Sequence, residues 1–291
     1  MKEFNGIIVI NKEEGMTSFD VVRKVKKILS CKKVGHTGTL DPMATGVLPI
    51  CIGKATKAAN YLIKDNKAYI AEVKLGEVTD TYDREGTIVS TNDVNISEEN
   101  LIKAIKSFVG KIIQVPPKYS ALKINGQKMY DLARKGIEFE VKGREIEVFS
   151  IEILNINLPY FTIKVTCSKG TYIRSLAYDI GQKLGCGAHL FNLQRIKSGH
   201  FNLDQSLKLE ALNLDNIESI LISVEELFKD FNSFTIEPYF EKLFLNGVSI
   251  KDNRLISKFM EMGIFKVYNN SGKFLGLGKR EQDFFKMESL F

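Results

Sequence analysis

Two alternating runs in the middle of the chain, REIEVFSIEILNI (144–156) and FTIKVTCSKG (161–170), are separated by only a few residues and read as paired strands. They feed directly into TYIRSLAYDIGQKLG, a helical pattern that ends on glycine. A strand pair continuing into a helix leaves few compact solutions, and the remaining segments narrow them. GIIVINK (6–12) reads as a short buried strand, and KAYIAEVKLG (67–76) as a partly alternating one. TSFDVVRKVKKILS predicts a helix capped by Ser18, with Phe19, Val22, Val25, Ile28 and Leu29 as its apolar stripe. KATKAANYLI (54–63) predicts another, and SEENLIKAIKSFVG a third with Glu98 and Glu99 in its first turn. Helices mixed with returning strands point to an α/β or α+β domain with a mixed sheet. Past residue 230, two short β runs meet at Asn-Asn-Ser-Gly in IFKVYNNSGKFLGLGK, which predicts a hairpin in a small β-rich domain over 231–291.

Composition excludes several classes of function. With 44% hydrophobic and 26% charged residues the chain reads as globular. No apolar run approaches the ~20 residues that a membrane span requires, and the N-terminal stretch is too acidic for a signal peptide, so a cytoplasmic protein without membrane contact is expected. Cys31, Cys51, Cys167 and Cys186 are scattered, as are His36, His189 and His200, so no metal-ligand spacing exists. The net charge of +6 is segregated. Basic stretches run from Arg23 to Lys33 and from Lys118 to Arg144, whereas Asp204 to Glu241 leans acidic. Such a division suits one surface for a polyanion, although a lysine-rich helix face is also an ordinary solvated one.

Between these basic stretches lies GHTGTLDPMATGVLPI (35–50), crowded with small residues and carrying one carboxylate, Asp41. Asp before Pro suits a helix start, so a cap is the simplest reading. HTGTL also approaches the signature of phosphate-accepting aspartates, but the nucleophile's position there is Gly35. Arg174, in the first turn of a predicted helix, opposes the helix dipole at a cost of ~0.3–1 kcal/mol, which a carboxylate partner would offset. Pairing with Asp41 would keep that aspartate ionised and aimed; spacing alone leaves Arg174 equally able to stand exposed.

At this point the chain resembles the TruB-type pseudouridine synthases. GHTGTLDPMATGVLPI is similar to their catalytic loop, and three further blocks follow in the same order: KAYIAEVKLGEVTDTYDREG, PPKYSALKINGQKMYDLARKG and CSKGTYIRSLAYDIGQKLGCGAHLFNLQRIKSGHF. The resemblance implies the pseudouridine synthase fold over residues 1–230, an α+β domain with a mixed, largely antiparallel central sheet and flanking helices, with a thumb-like insertion at about 116–143 and a PUA-like RNA-binding domain at the end. It assigns Asp41 as nucleophile, Tyr69 against the uracil as acceptor of the C5 proton, and Arg174 as holder of Asp41. His36 would hold extruded nucleotides, Leu193 would line the pocket, and Lys12, Gly38 and Thr39 would meet substrate. Lys118, Lys123, Lys128, Arg134, Lys135 and Arg195 would contact RNA phosphates. One departure is visible: where the family commonly has D-K-P-x-G, this chain has NKEEG, keeping Lys12 and Gly15. The thumb resembles that of the stand-alone enzymes acting on uridine 55 in the TΨC loop of tRNA, which implies the T arm and elbow as partner, a monomer, no obligatory protein partner, and no metal or organic cofactor. Two alternatives remain open on the sequence: a tRNA-folding module with incidental catalysis, and a guide-dependent dyskerin-type synthase.

Overall fold

The computed structural model describes residues 3–62, 66–124 and 126–291. The chain opens with β1 (Gly6–Lys12), almost wholly buried, and turns into α1 (Ser18–Leu29). Thr17, not Ser18, caps this helix: its hydroxyl accepts from the Asp20 backbone N–H, and Asp20 returns the bond. Ser18 is left free to face inward. The buried face is Val21, Val22, Val25 and Leu29. Phe19, expected in that stripe, is 63% exposed with Arg23 over its ring.

β2 (Val34–His36) and β3 (Thr45–Ile52) flank the Asp41 loop. The helix expected over 54–63 is a 3₁₀ turn, Gly53–Ala58, followed by the short α2 (Ala59–Leu62); Ile63 lies outside the described residues. β4 (Lys67–Leu75) leads to the hairpin β5 (Glu77–Thr79) and β6 (Ile88–Thr91), then α3 (Glu98–Lys106), capped by Ser97, and β7 (Gly110–Gln114). The basic excursion carries β8 (Lys123–Ile124), β9 (Gln127–Lys128) and α4 (Met129–Arg134). β10 (Arg144–Asn157) and β11 (Tyr160–Cys167) form the expected antiparallel pair and deliver the chain into α5 (Ile173–Leu184). β12 (Ala188–Ser198) returns through the middle of the sheet, and β13 (Phe201–Asn202) and β14 (Leu207–Lys208) extend it.

The sheet order is β14-β1-β3-β12-β4-β11-β10-β7. Among the described residues of this sheet, only β1–β14 and β3–β12 pair in parallel, so it is mixed and largely antiparallel. α1, α3 and α5 cover one face through Val25, Leu101, Ile105, Leu176 and Ile180. α5 lies close on its strand because Gly181 faces the Ala188 backbone, where a Cβ would sit 2.2 Å from the nitrogen.

Beyond α6 (Ile217–Ile220) and α7 (Val224–Leu227), a second sheet forms from β15 (Ser233–Thr235), β16 (Gly263–Tyr268), β17 (Phe274–Arg280) and β18 (Phe285–Leu290). α8 (Pro238–Leu245) and α9 (Asn253–Ile256) pack on it, around a core of Phe240, Phe244, Val267 and Phe285. A separate apolar cluster joins Phe228 and Leu277 to Val47 and Cys51 of the large sheet. Among the described residues, no helix is long and apolar enough to cross a membrane.

Candidate active site

Asp41 begins a turn, not a helix: the Ala44 N–H donates to its backbone carbonyl at 3.0 Å. Its side chain is therefore free, and Arg174 meets it. Arg174 Nη2 donates to Asp41 Oδ1 at 3.1 Å, and Nε lies 2.9 Å from Oδ2. The Nε–H is poorly aligned on that oxygen, so this second approach is an ion contact rather than a hydrogen bond. The other donors of Arg174 are also used. Nη2 donates to the Tyr119 carbonyl at 3.0 Å, Nη1 to the Thr81 carbonyl at 3.2 Å, and Nη1 lies 3.3 Å from Asp83 Oδ2. One guanidinium thus gathers the Asp41 loop, the 81–83 turn and the start of the basic excursion.

The helix start carrying Arg174 is itself pinned. The Gln114 amide exchanges two hydrogen bonds with the Tyr172 backbone, at 2.8 and 3.1 Å, and Ser175 Oγ donates to the Val115 carbonyl at 2.7 Å. Asp83 is held as firmly: its Oδ1 accepts from the Thr81 hydroxyl at 2.7 Å and the Glu85 N–H at 3.1 Å, which turns Oδ2 toward Arg174. Tyr82 adopts φ 64° in this turn, unusual for a bulky residue, and its ring stacks on Tyr178 of α5 at 4.0 Å. Two carboxylates around one buried arginine offset its misplacement at a helix N-terminus.

A third of the Asp41 side chain, 33%, stays open to solvent, and this is the edge a substrate can reach. The protein packed around it still desolvates the carboxyl and pushes its pKa above the ordinary carboxylate range. Arg174 opposes that push, Asp83 adds to it, and Lys12 opposes it. Burial therefore outweighs the pairing that was expected to lower this pKa.

Two expected substrate contacts lie elsewhere. Lys12 is fully buried, and its Nζ donates to the carbonyls of Glu13, Met16 and Pro42 at 2.9, 2.7 and 3.1 Å. All three ammonium protons are taken by backbone, so Lys12 ties the NKEEG loop to the Asp41 turn and cannot touch RNA. Burial brings its pKa down to about 8, with Asp41, Glu14 and Glu85 pulling upward. Arg195, expected on a phosphate-binding surface, is 1% exposed. Its Nε donates to the Val47 carbonyl at 2.7 Å, Nη2 to Gly38 at 3.2 Å and Nη1 to Thr39 at 3.5 Å. Gly46, at φ 101°, permits this: a Cβ there would lie 2.2 Å from the Arg195 carbonyl oxygen. Both cations follow one rule: a charge enters the interior only where polar partners are ready for it.

The remaining residues converge. Tyr69 of β4 is buried and stands cross-strand from Arg195 of β12. Leu193 is likewise buried, two residues along the same strand. His36 is partly buried, and its Nδ1 accepts from the Gly38 N–H at 3.3 Å, which leaves the proton of a neutral ring on Nε2. Burial, then Arg195, lowers its pKa. Thr39 is exposed beside it and Gly38 partly so. Lys118, Lys123, Lys128, Arg134 and Lys135 are all exposed on the excursion. Residue-by-residue reading missed Asp83 and the Ser18 hydroxyl, which bonds both the N–H and the carbonyl of Leu40 at 2.8 and 3.0 Å. Asp83 carried a signal, since TDTYDREG lies inside one of the collinear blocks. Ser18 carried none beyond its helix-start position.

A mixed sheet whose loop-borne aspartate is gripped by a buried arginine defines a class, the pseudouridine synthase fold. The solved structure of an H/ACA RNP bound to a substrate RNA containing 2′-deoxyuridine superimposes with a TM-score of 0.70 at 25% identity, over 98% of this chain and 84% of the other. The archaeal box H/ACA sRNP Nop10–Cbf5 complex gives 0.69 at 24%, over 98% and 86%. Residues 26–173 match the TruB family pseudouridylate synthase N-terminal domain, and residues 174–227 the tRNA pseudouridylate synthase B C-terminal domain. The chain belongs to the TruB family of pseudouridylate synthases. Its relatives include the tRNA pseudouridine synthase B of Clostridium acetobutylicum, 54% identical over 98% of this chain and 99% of that protein, and that of Clostridium kluyveri, 52% identical over 99% of each.

Proposed function

We propose that this protein isomerises uridine 55 in the TΨC loop of tRNA to pseudouridine, with Asp41 as the nucleophile. The observation that carries the reading is the Asp41–Arg174 pair: a carboxylate open on one edge and held on the other by a guanidinium that is itself tied to the 81–83 turn and the base of the thumb. Relatives named for tRNA pseudouridine synthesis, matched over nearly the whole chain, supply the substrate class.

The chemistry follows from what the residues can do. Uridine stacked in a folded loop must be extruded, at a cost of a few kcal/mol, before any side chain reaches it. The thumb cations meet phosphates, and the His36 ring beside the loop holds displaced nucleotides. Asp41 attacks ring C6 or ribose C1′, or drives glycosidic cleavage through a glycal. The base turns against Leu193 and reattaches through C5, and Tyr69 takes the C5 proton. N1 gains a proton, C5 loses one, and no group or electron enters from outside. We assign residues 1–230 as the catalytic domain, 116–143 as its thumb, and 231–291 as a PUA-like domain contacting RNA; the separate core of the second sheet supports the division. The exposed cationic excursion favours an unguided enzyme acting on tRNA directly.

The test is carbodiimide–primer-extension mapping of unmodified tRNA transcript incubated with wild-type protein and, separately, with Asp41→Asn. A stop at uridine 55 with the wild type alone is expected. No stop anywhere in a tRNA that binds tightly would leave a tRNA-folding role in its place.

A further inference from the structure

Arg195 is a buried guanidinium whose hydrogen-bond acceptors, among the described residues, are all neutral: the carbonyls of Val47, Gly38 and Thr39. The Tyr69 phenol lies within its electrostatic reach. A desolvated cation without a carboxylate is costly to keep. Its placement is specific. Arg195 is the cross-strand neighbour of Tyr69, and two of the three carbonyls it grips, those of Gly38 and Thr39, immediately precede Leu40 and Asp41. One side chain therefore spans both groups assigned to the chemistry.

We propose that Arg195 is a positioning residue for the reaction, holding the Asp41 loop and the Tyr69 hydroxyl in one frame and supplying the countercharge for a tyrosinate that forms transiently at Tyr69. This rests on the reading of Tyr69 as acceptor of the C5 proton. A neutral phenol must give up its own proton before it can take another. That proton passes, directly or through solvent, to the N1 freed when the glycosidic bond breaks. Once the new C–C bond has formed, the C5–H bond breaks, its electron pair returns to the ring, and the proton restores the phenol. The count closes with one proton moved from C5 to N1. A cation already in place beside the oxygen stabilises the charged stage without reorganising.

Other charges face the pair. Burial raises the Tyr69 pKa, Arg195 opposes it, and Cys167 and Asp41 add to it. Lys12 and His36 lie within electrostatic reach of Arg195, and Lys67 stands two residues before Tyr69 on the same strand.

The test compares wild type, Arg195→Lys and Arg195→Met in single turnover on tRNA carrying ordinary or 5-deuterated uridine. Arg195→Met should slow product formation by about a hundredfold, the scale of a missing acid–base contribution, with tRNA affinity unchanged. Arg195→Lys, which keeps the charge, should recover part of the rate. Both should show a primary deuterium effect absent in the wild type and a rate that climbs with pH. In a Tyr69→Phe background, Arg195→Lys should add little. An unchanged isotope effect and pH profile, or losses that multiply with Tyr69→Phe, would overturn the proposal and leave Arg195 purely structural. Should Arg195→Met not fold, Arg195→Lys decides by the same criteria. A wild type that forms no pseudouridine would instead remove the function on which the inference rests.

Discussion

The Asp83 carboxylate stands 3.3 Å from Arg174 Nη1, on the side of the guanidinium away from Asp41. Arg174 is thus shared between two carboxylates, only one of which is open to substrate. Replacing Asp83 with Asn would remove the competing charge while keeping an acceptor, drawing Arg174 more tightly onto Asp41 and weakening it as a nucleophile. Single-turnover rates should drop by about tenfold or more, equivalent to ~1.4 kcal/mol or more of barrier, with tRNA affinity unchanged. Equal rates in Asp83→Asn and wild type would show that the second carboxylate serves packing alone.

The raised pKa of Asp41 has two consequences of opposite sign. Attack requires the ionised form, so activity should fall in acid through a midpoint above the ~3.9 of a free aspartate. Stability runs the other way. Between its unfolded and folded pKa values the folded chain holds more protons, so the stabilisation from Asp41 is full below the unfolded value and is lost as pH rises through the folded one. Asp41→Asn, which keeps an acceptor and leaves Asp83 on Arg174, should be inactive yet melt at or above the wild type at pH 7.5. Its advantage should shrink toward pH 4. Melting curves of both proteins across that range decide it.

Lys12→Met separates a structural tie from a substrate contact. The Glu13 and Met16 carbonyls would lose their donor, at ~1–3 kcal/mol for each buried group left unsatisfied, Pro42 would keep only its bond from the Gly15 N–H, and the Asp41 turn would loosen. Turnover and melting temperature should fall together while tRNA affinity holds. The group's folded pKa, about 8, lies below its unfolded value of 10.5, so the unfolded chain binds more protons between them and the wild type should gain on Lys12→Met as pH rises through that window. A selective loss of tRNA binding would restore Lys12 to the substrate surface.

The basic excursion makes an ionic-strength prediction. Lys123, Lys128 and Arg134 are exposed on the excursion, away from the buried cations of the centre. Changing all three to Gln should weaken tRNA binding and flatten log K against log salt, by roughly 0.7–0.9 for each phosphate that is no longer neutralised. Filter binding at several salt concentrations measures it. An unaltered slope would move the RNA path off this excursion.

Local sequence signals were enough for most of the elements. Alternation marked β10 and β11, a helical pattern ending on glycine marked α5, and Asn-Asn-Ser-Gly marked the β16–β17 turn, because such signals depend on neighbours in sequence rather than on distant partners. The collinear blocks were enough for the family. At α1 the local reading missed by one residue: Thr17 and Ser18 can both cap, and only Ser18 has Leu40 to bond. The site itself was set by the folded chain. The resemblance placed Lys12 and Arg195 against substrate and RNA; their carbonyl partners lie as far away in sequence as Pro42 and Val47, and no periodicity reports them. Asp83 waited on the same cause, for its meaning comes from an arginine on another element. Burial of charge is a property of what surrounds a residue, and only the folded chain supplies the surroundings.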